Sequence, residues 1–287
     1  MVNNFIYKNP PDSGLGDRLL DIITLYSYSQ FLNYKNFYLH WKYSEYCRPS
    51  LETKYLFHYI KFPENIHFVS QEEINRLCEN PENFCFEDIL SATSLFLFKD
   101  NYIQIDDHEA FDKFYFASFN NIKLINIPTE IIKIFEDDKN IITTIHLRRS
   151  DKVNNVPGAH GVSYNELEYL NSKTKEFIEE EIKKSNIICF ISDDTVVKNE
   201  YINLYKNRND VNIIFFNHEN EAIQTYYDYY CLLNSDNIFM SQKFSTFSIT
   251  ASLIKNNILY YCFDYGRMFD YDNINYCFNK YSNFIKF

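Results

Sequence analysis

Three cations fall within five residues in the run His146-Leu147-Arg148-Arg149-Ser150-Asp151-Lys152. The chain carries a net charge of −11, so this run is a local exception to its character. It continues the apolar stretch Ile141–Leu147, which reads as a strand. Arginine offers a rigid fork of donors that fits phosphate oxygens two at a time, which lysine cannot do. Alternation along a strand places His146 and Arg148 on one face and Arg149 on the other. Asp151 is suited to hold one guanidinium in place. A small anionic ligand bearing phosphate is the chemistry that such a cluster serves, and a solvated charge run is the bland alternative.

Three further clusters lie after strands. Two of the chain's five glycines are in Gly14-Leu15-Gly16-Asp17-Arg18. They let a backbone approach a ligand, and the next helix offers free N–H groups and a positive dipole end. A tight turn with Asp17 as N-cap explains them equally well. In Ser192-Asp193-Asp194 a carboxylate can accept from ribose hydroxyls or a base edge, or simply cap the next helix. Ser245-Thr246-Phe247-Ser248 supplies hydroxyls and amides for a phosphate, or a Ser/Thr cap.

Other chemistries find no support. The seven histidines are scattered, without H-x-x-x-H spacing or cysteine neighbours, so no metal site is expected. Neither a G-x-S-x-G elbow nor a G-x-x-x-x-G-K-[ST] loop occurs. Asp270-Tyr271-Asp272 is formally a D-x-D pair but reads as loop, and His160 and His218 read as surface residues.

The elements that must position these groups alternate between strand and helix. Strands are expected at Phe5–Tyr7, Phe37–Trp41, Ile66–Val69, Ile141–Leu147, Ile187–Ile191, Val211–Phe216, Ile238–Met240 and Leu259–Phe263. Helices are expected at Asp17–Leu32, Tyr55–Ile60, Thr129–Phe135, Ser163–Lys184, Thr195–Tyr205, Glu219–Leu233 and Phe247–Ile254. Ser163-Tyr164-Asn165-Glu166 has the pattern of a capping box. Residues 80–125 carry few turn signals and receive no firm assignment. This alternation implies an α/β fold with parallel sheets covered on both faces, and ligands then bind outside the carboxyl ends of the strands. The restart of the pattern near Glu136–Asn140 divides the chain into an N-terminal Rossmann-like domain, 1–138, and a C-terminal one, 139–287.

Composition sets the class. With 46% hydrophobic and 23% charged residues the chain is an ordinary globular protein. Its acidity argues against a nucleic-acid partner. Seven cysteines, an odd number without C-x-x-C spacing, read as reduced thiols, with Cys189, Cys231 and Cys262 as small buried hydrophobes. There is no apolar run near 20 residues and no signal-like start, which predicts a cytoplasmic chain without a membrane span. The aromatic excess between 40 and 135 reads as core, with sugar-stacking platforms as the alternative.

The glycine loop, the H-x-R-R-x-D-K run, the Ser192-Asp193-Asp194 strand end and the Ser245-Thr246 turn occur in the order seen in GDP-fucosyltransferases. The sequence resembles the α1,6-type enzymes over roughly residues 12–255, with the α1,2 and protein O-fucosyltransferases as relatives. The resemblance implies a GT-B architecture, two Rossmann-like domains facing across a cleft. It implies a GDP-fucose donor held mainly by the C-terminal domain, a carbohydrate or other hydroxyl acceptor on the N-terminal side, inversion, and neither metal nor cofactor. Carried over by position, Arg148 stabilises the leaving β-phosphate, within a catalytic run that includes Arg149, Asp151 and Lys152. His146, Asp193 and Asp228 hold the guanosine, and Ser245 and Thr246 contact phosphate. Gly14, Gly16, Asp17, Arg18 and Asp194 complete the nucleotide-sugar contacts. The sequence departs from the pattern twice. Asn154-Asn155-Val156 stands where α1,6-type enzymes carry a glutamate, so no acceptor base is assigned, and two residues near Gln242-Lys243 are extra. Transfer from another GDP-sugar and a non-catalytic nucleotide-sugar or glycan-binding module are the competing readings.

Overall fold

The structure, a computed structural model, describes residues 4–8, 13–44, 47–86, 121–136, 140–149, 163–242, 245–262 and 283–287. The chain divides into two units, Met1–Asn126 and Ile127–Phe287. The division therefore falls before the helix Thr129–Phe135 and not at the expected 138. That helix belongs to the second unit, because the ring of Phe135 packs edge-on against Tyr230 at 5.8 Å. The restart of the strand pattern marks the first strand of the second unit, one element too late.

In unit 1 the short apolar segments pair through a buried aromatic core. The described elements are β1 (Asn4–Tyr7), α1 (Leu15–Phe31), β2 (Asn36–Leu39), a 3-10 turn (Pro49–Leu51), α2 (Thr53–Tyr59), β3 (Ile60–Lys61), β4 (Ile66–Phe68), α3 (Gln71–Cys78), β5 (Phe84–Phe86) and β6 (Lys123–Leu124). The order β4-β2-β1-β5 forms a parallel sheet, and β3 pairs antiparallel with β6. Phe5 sits at the centre, its ring 5.6 Å from Phe37 and 5.2 Å from Phe84. Only Asp17, Gln30 and Phe31 of α1 escape full burial, as expected of a helix packed on all sides. Strand β5 lies in the stretch without a firm assignment, because three residues are too few for a period to appear.

Unit 2 holds α4 (Thr129–Phe135), β7 (Ile142–Leu147), α5 (Tyr164–Lys183), β8 (Ile187–Ser192), α6 (Thr195–Tyr205), β9 (Asn212–Ile214), α7 (Glu221–Asn234), β10 (Asn237–Met240), α8 (Thr246–Lys255), β11 (Ile258–Tyr261) and β12 (Phe284–Lys286). Every residue of β7 and β8 is buried, as their unbroken apolar runs require in a sheet covered on both faces. The order is β12-β11-β10-β7-β8-β9, all parallel. Counted from β7 this is the 3-2-1-4-5-6 order of dinucleotide-binding sheets, whose direction of winding switches between the first and fourth strands. Here those strands are β7 and β10.

Ile145, Leu147, Phe177, Phe190 and Phe239 fill the core on one face, with Phe177 and Phe239 stacked at 4.3 Å. Ser163 and Glu166 form the expected capping box at the start of α5, worth about 1 kcal/mol. The expected strand Val211–Phe216 contracts to β9, and β12 has no counterpart among the expected strands. Among the described residues no helix is long and apolar enough to cross a membrane.

Candidate functional site

In a sheet of this order the crevice for a ligand opens at the carboxyl ends of the two strands flanking the switch. His146 of β7 lies opposite Met240 of β10 in the register. The residues that continue from these two ends are therefore neighbours: Arg148 and Arg149 from one, Ser241 and Gln242 from the other. Helix α8 begins next, at Ser245 and Thr246.

The side chains of β7 alternate as expected. Thr144 meets Ser235, and His146 Nδ1 lies 2.6 Å from Ser248 Oγ of α8. The His146 ring, 4% exposed, also packs 5.8 Å from Phe247. Leu147 points to the α5 face, and so does Arg149.

Arg149 is buried. Its Nη2 donates to Asn171 Oδ1 at 3.0 Å and to Ser241 Oγ at 2.9 Å, and its Nη1 donates to the Ser241 carbonyl. Burial pulls the guanidinium below its usual pKa, against the opposing pull of Tyr201 and Asp193. These contacts tie β7, α5 and the end of β10 together, so the guanidinium points into the protein. Arg148, on the other face, is half-buried, with Nε 3.9 Å from Asp193 Oδ2. Asp193 Oδ1 accepts the backbone N–H of Arg149 at 2.9 Å.

The neighbouring acids divide their roles. Asp194 caps α6, accepting from Val196 N at 2.9 Å and Val197 N at 3.2 Å, so the helix-cap alternative describes it. Ser192 Oγ donates to the Leu147 carbonyl and accepts from Asp194 N at 3.0 Å. Asp228 on α7 accepts from Gln224 Nε2 at 2.6 Å. Burial raises its carboxyl to about 7. Lys198 and Gln224 pull it back down, and the charge of Asp193 pushes it further up. Lys198 Nζ itself donates to the Phe216 carbonyl at 2.6 Å.

Two side chains at the switch are buried and have no protein partner among the described residues. Gln242 is 1% exposed, and neither Oε1 nor Nε2 makes a hydrogen bond there. Ser245 is the N-cap of α8, yet its hydroxyl caps nothing. Ser163, Asp194 and Asn220 cap their helices with side-chain acceptors. Leaving such groups unpaired costs about 1–3 kcal/mol each, and a ligand that pairs them recovers it. In the sequence Gln242 stands out only as an extra residue. The signal that marks it is an amide two residues past the end of the strand beside the basic run.

In unit 1, Gly14 is the N-cap of α1 with φ −68°, and a Cβ added there would meet only Asp17 Oδ2 at 3.8 Å. Neither the turn nor the packing demands a glycine at this position. Gly16 is buried and Asp17 half-buried in the first turn of α1. Arg18 is 2% exposed. Its Nε donates to the Ser13 carbonyl at 2.9 Å, Nη1 to the Lys42 carbonyl and Nη2 to Cys47 Sγ at 3.6 Å, with the Trp41 ring 4.8 Å away. Arg18, expected at the nucleotide, is here a staple between loops, because the helix turns this position inward. Ser150, Asp151, Lys152, Asn154 to Val156, His160, Lys243 and Asp270 to Asp272 lie outside the described residues.

The fold is similar to that of the fucosyltransferase NodZ from Bradyrhizobium, with a TM-score of 0.51 and 15% identity over 88% of this chain and 94% of that one. The chain folds as a GT-B glycosyltransferase does. The α-1,6-fucosyltransferase NodZ co-crystallized with GDP matches with a TM-score of 0.50 and 15% identity, over 88% and 93% of the two chains. The E. coli heptosyltransferase WaaC with ADP is a weaker match, with a TM-score of 0.40 and 10% identity over 92% and 88%. No family model matches the sequence, and neither does any curated protein. In the GT-B fold described here, each unit carries its own parallel sheet, and the switch-point cluster belongs wholly to unit 2.

Proposed function

We propose that this chain is a glycosyltransferase that moves fucose from GDP-fucose to a hydroxyl of a carbohydrate or related acceptor, with inversion and without a metal ion. One observation carries this reading: at the switch point of unit 2, Arg148 held by Asp193 shares the strand ends with the amide of Gln242 and the hydroxyl of Ser245, which have no partner among the described residues. The likeness to NodZ, which was co-crystallized with GDP, agrees with a guanosine diphosphate donor.

The residues suit the chemistry. As the glycosidic bond to the diphosphate breaks, negative charge grows on the departing β-phosphate. A preorganised guanidinium at Arg148 strengthens its interaction as that charge develops, which lowers the barrier selectively. Ser245 Oγ, Gln242 Nε2 and the free N–H groups of α8 are donors for the remaining phosphate oxygens. Asp228 supplies an acceptor for the N–H edge of guanine, and it does so when ionised. Positive charge from the protein takes the place that a divalent ion holds in D-x-D enzymes.

A thermal-shift series tests the reading. GDP is expected to raise the melting temperature while ADP and UDP do not. At about 100 times Kd the stabilisation is roughly 2.7 kcal/mol. Turnover of GDP-fucose is expected to survive EDTA. Equal shifts with all three nucleotides would remove the guanosine assignment. Loss of turnover on chelation, restored by Mg²⁺ or Mn²⁺, would remove the metal-free mechanism.

A further inference from the structure

Unit 1 has a cavity of about 720 Å³ of its own, lined by His40, Trp41, Thr53, Lys54, Phe57 and Phe68 among others. Its place in the fold is informative. His40 comes directly after the last residue of β2, and Phe68 ends β4, so the cavity opens at the carboxyl ends of two adjacent parallel strands. Ligands of α/β sheets lie outside the carboxyl ends of the strands, and this cavity is at such an end although the winding of the sheet reverses between β1 and β5. The size lies within the range of small-molecule sites.

The lining combines an aromatic floor with a polar rim. Phe57 remains 44% exposed, although a large apolar ring gains by burial. Its orientation is set by edge contacts with Phe68 at 4.9 Å and Phe62 at 6.4 Å. Trp41 is held by a hydrogen bond from Nε1 to the Leu51 carbonyl at 2.8 Å. His40 Nδ1 lies 3.0 Å from the Val69 carbonyl, which can only accept. Nδ1 is therefore the donor in this contact. Lys54, paired with Glu52 at 2.5 Å, and the Thr53 hydroxyl stand on the exposed start of α2.

We propose that this cavity binds a sugar ring of a glycan. A pyranose has an apolar C–H face and an edge of hydroxyls that both donate and accept. The exposed ring of Phe57, fixed by Phe68 and Phe62, matches the face, and His40, Thr53 and Lys54 match the edge, while buried Trp41 lies behind them with Arg18 against its ring. A purely apolar partner would leave that rim unpaired, at a cost. That the glycan is the acceptor rests on the transferase reading; that the cavity binds sugar does not.

Trp41 is the chain's one tryptophan and lines this cavity, so its emission reports on a change there. The full chain, without nucleotide, is titrated with the methyl glycosides of glucose, galactose, mannose and N-acetylglucosamine, and with lactose and cellobiose, to tens of millimolar. A saturable change in emission with at least one sugar is expected. Phe57→Ala should weaken it about tenfold or more, and Phe57→Tyr should retain it, while the melting shift with GDP stays that of the parent in both variants. No saturable change with any sugar overturns the proposal, as does an identical curve for Phe57→Ala. Binding of the apolar dye ANS with no sugar response overturns it in favour of an apolar partner. A lost GDP shift with a sugar response intact would instead count against the transferase reading alone.

Discussion

Arg148 Nε lies 3.9 Å from one oxygen of Asp193, whose other oxygen accepts the backbone N–H of Arg149 at 2.9 Å. A single acid at the end of β8 thus fixes both the main chain and the guanidinium at the end of β7. The family resemblance puts Asp193 on guanosine. Its contacts within the protein also hold Arg148 in place.

Arg148→Ala is expected to lower turnover by about 10²–10³-fold, the scale for loss of one preorganised transition-state donor. Arg148→Lys should recover little, because lysine lacks the planar fork. GDP affinity should fall less than kcat, since the contact strengthens as charge moves to the leaving group. Steady-state kinetics with GDP-fucose, beside circular dichroism of each variant, checks this. Wild-type turnover in Arg148→Ala would end the assignment.

Asp193→Ala should lower kcat by up to about 10²-fold through misplacement of Arg148. Combined with Arg148→Ala it should add little more, because the two act as one unit. Additive losses in the double variant would mean that Asp193 works independently, as a ligand contact.

Arg149→Ala should act on stability before activity. It removes three buried hydrogen bonds and takes the guanidinium donor from the Ser241 carbonyl, while Asn171 Oδ1 keeps Tyr201 and Ser241 Oγ keeps Thr174. A loss of about 3 kcal/mol for unit 2 is expected. Urea melts tracked by far-UV circular dichroism measure it. An unchanged melt with turnover lost would instead place Arg149 on the substrate.

Gln242→Leu should stabilise the ligand-free protein by about 1–3 kcal/mol, since it removes buried polar atoms that have no partner among the described residues. The same change should shrink the melting shift produced by GDP. A variant that is less stable and binds GDP normally would show that the amide serves the fold.

Asp228 predicts a pH dependence of definite sign. Its carboxyl titrates near 7 in the folded protein, chiefly through burial, and near about 4 when unfolded. Between those values the folded state holds a proton that the unfolded state has lost. Stability therefore falls as pH rises from about 4 through 7, by roughly 4 kcal/mol at most. Asp228→Asn should remove that fall. GDP affinity should rise across pH 6 to about 8 in the parent chain, as the acceptor ionises, and stay flat in Asp228→Asn. Isothermal titration at several pH values decides between these outcomes.

Much of unit 2 is legible in the sequence. β7 and β8 are unbroken runs of β-branched and apolar residues, and α5 announces its start with Ser163 and Glu166. Both are local signals. The same cannot be said of β5 or β12, three residues each, which become strands because a parallel neighbour supplies the other half of every hydrogen bond. The strand pattern misplaces the boundary between units for a similar reason: the membership of α4 depends on Tyr230, distant in sequence.

Residue types and spacing established where the charged and hydroxyl groups collect: after strands, in a chain otherwise acidic, in an order that resembles the GDP-fucosyltransferases. Which of those groups turn into the protein was decided by contacts far apart in the chain. Arg149 finds Ser241 and Arg18 finds Lys42, so both guanidiniums turn inward. Arg148 finds Asp193 and stays half-buried. Ser245 and Gln242 find nothing among the described residues, although Asp194, in the same kind of position, caps its helix. A side chain's neighbours along the chain fix its periodicity and its backbone state. Its hydrogen-bond partners come from strands and helices that only folding brings alongside, and those partners separate a buried arginine from a half-exposed one.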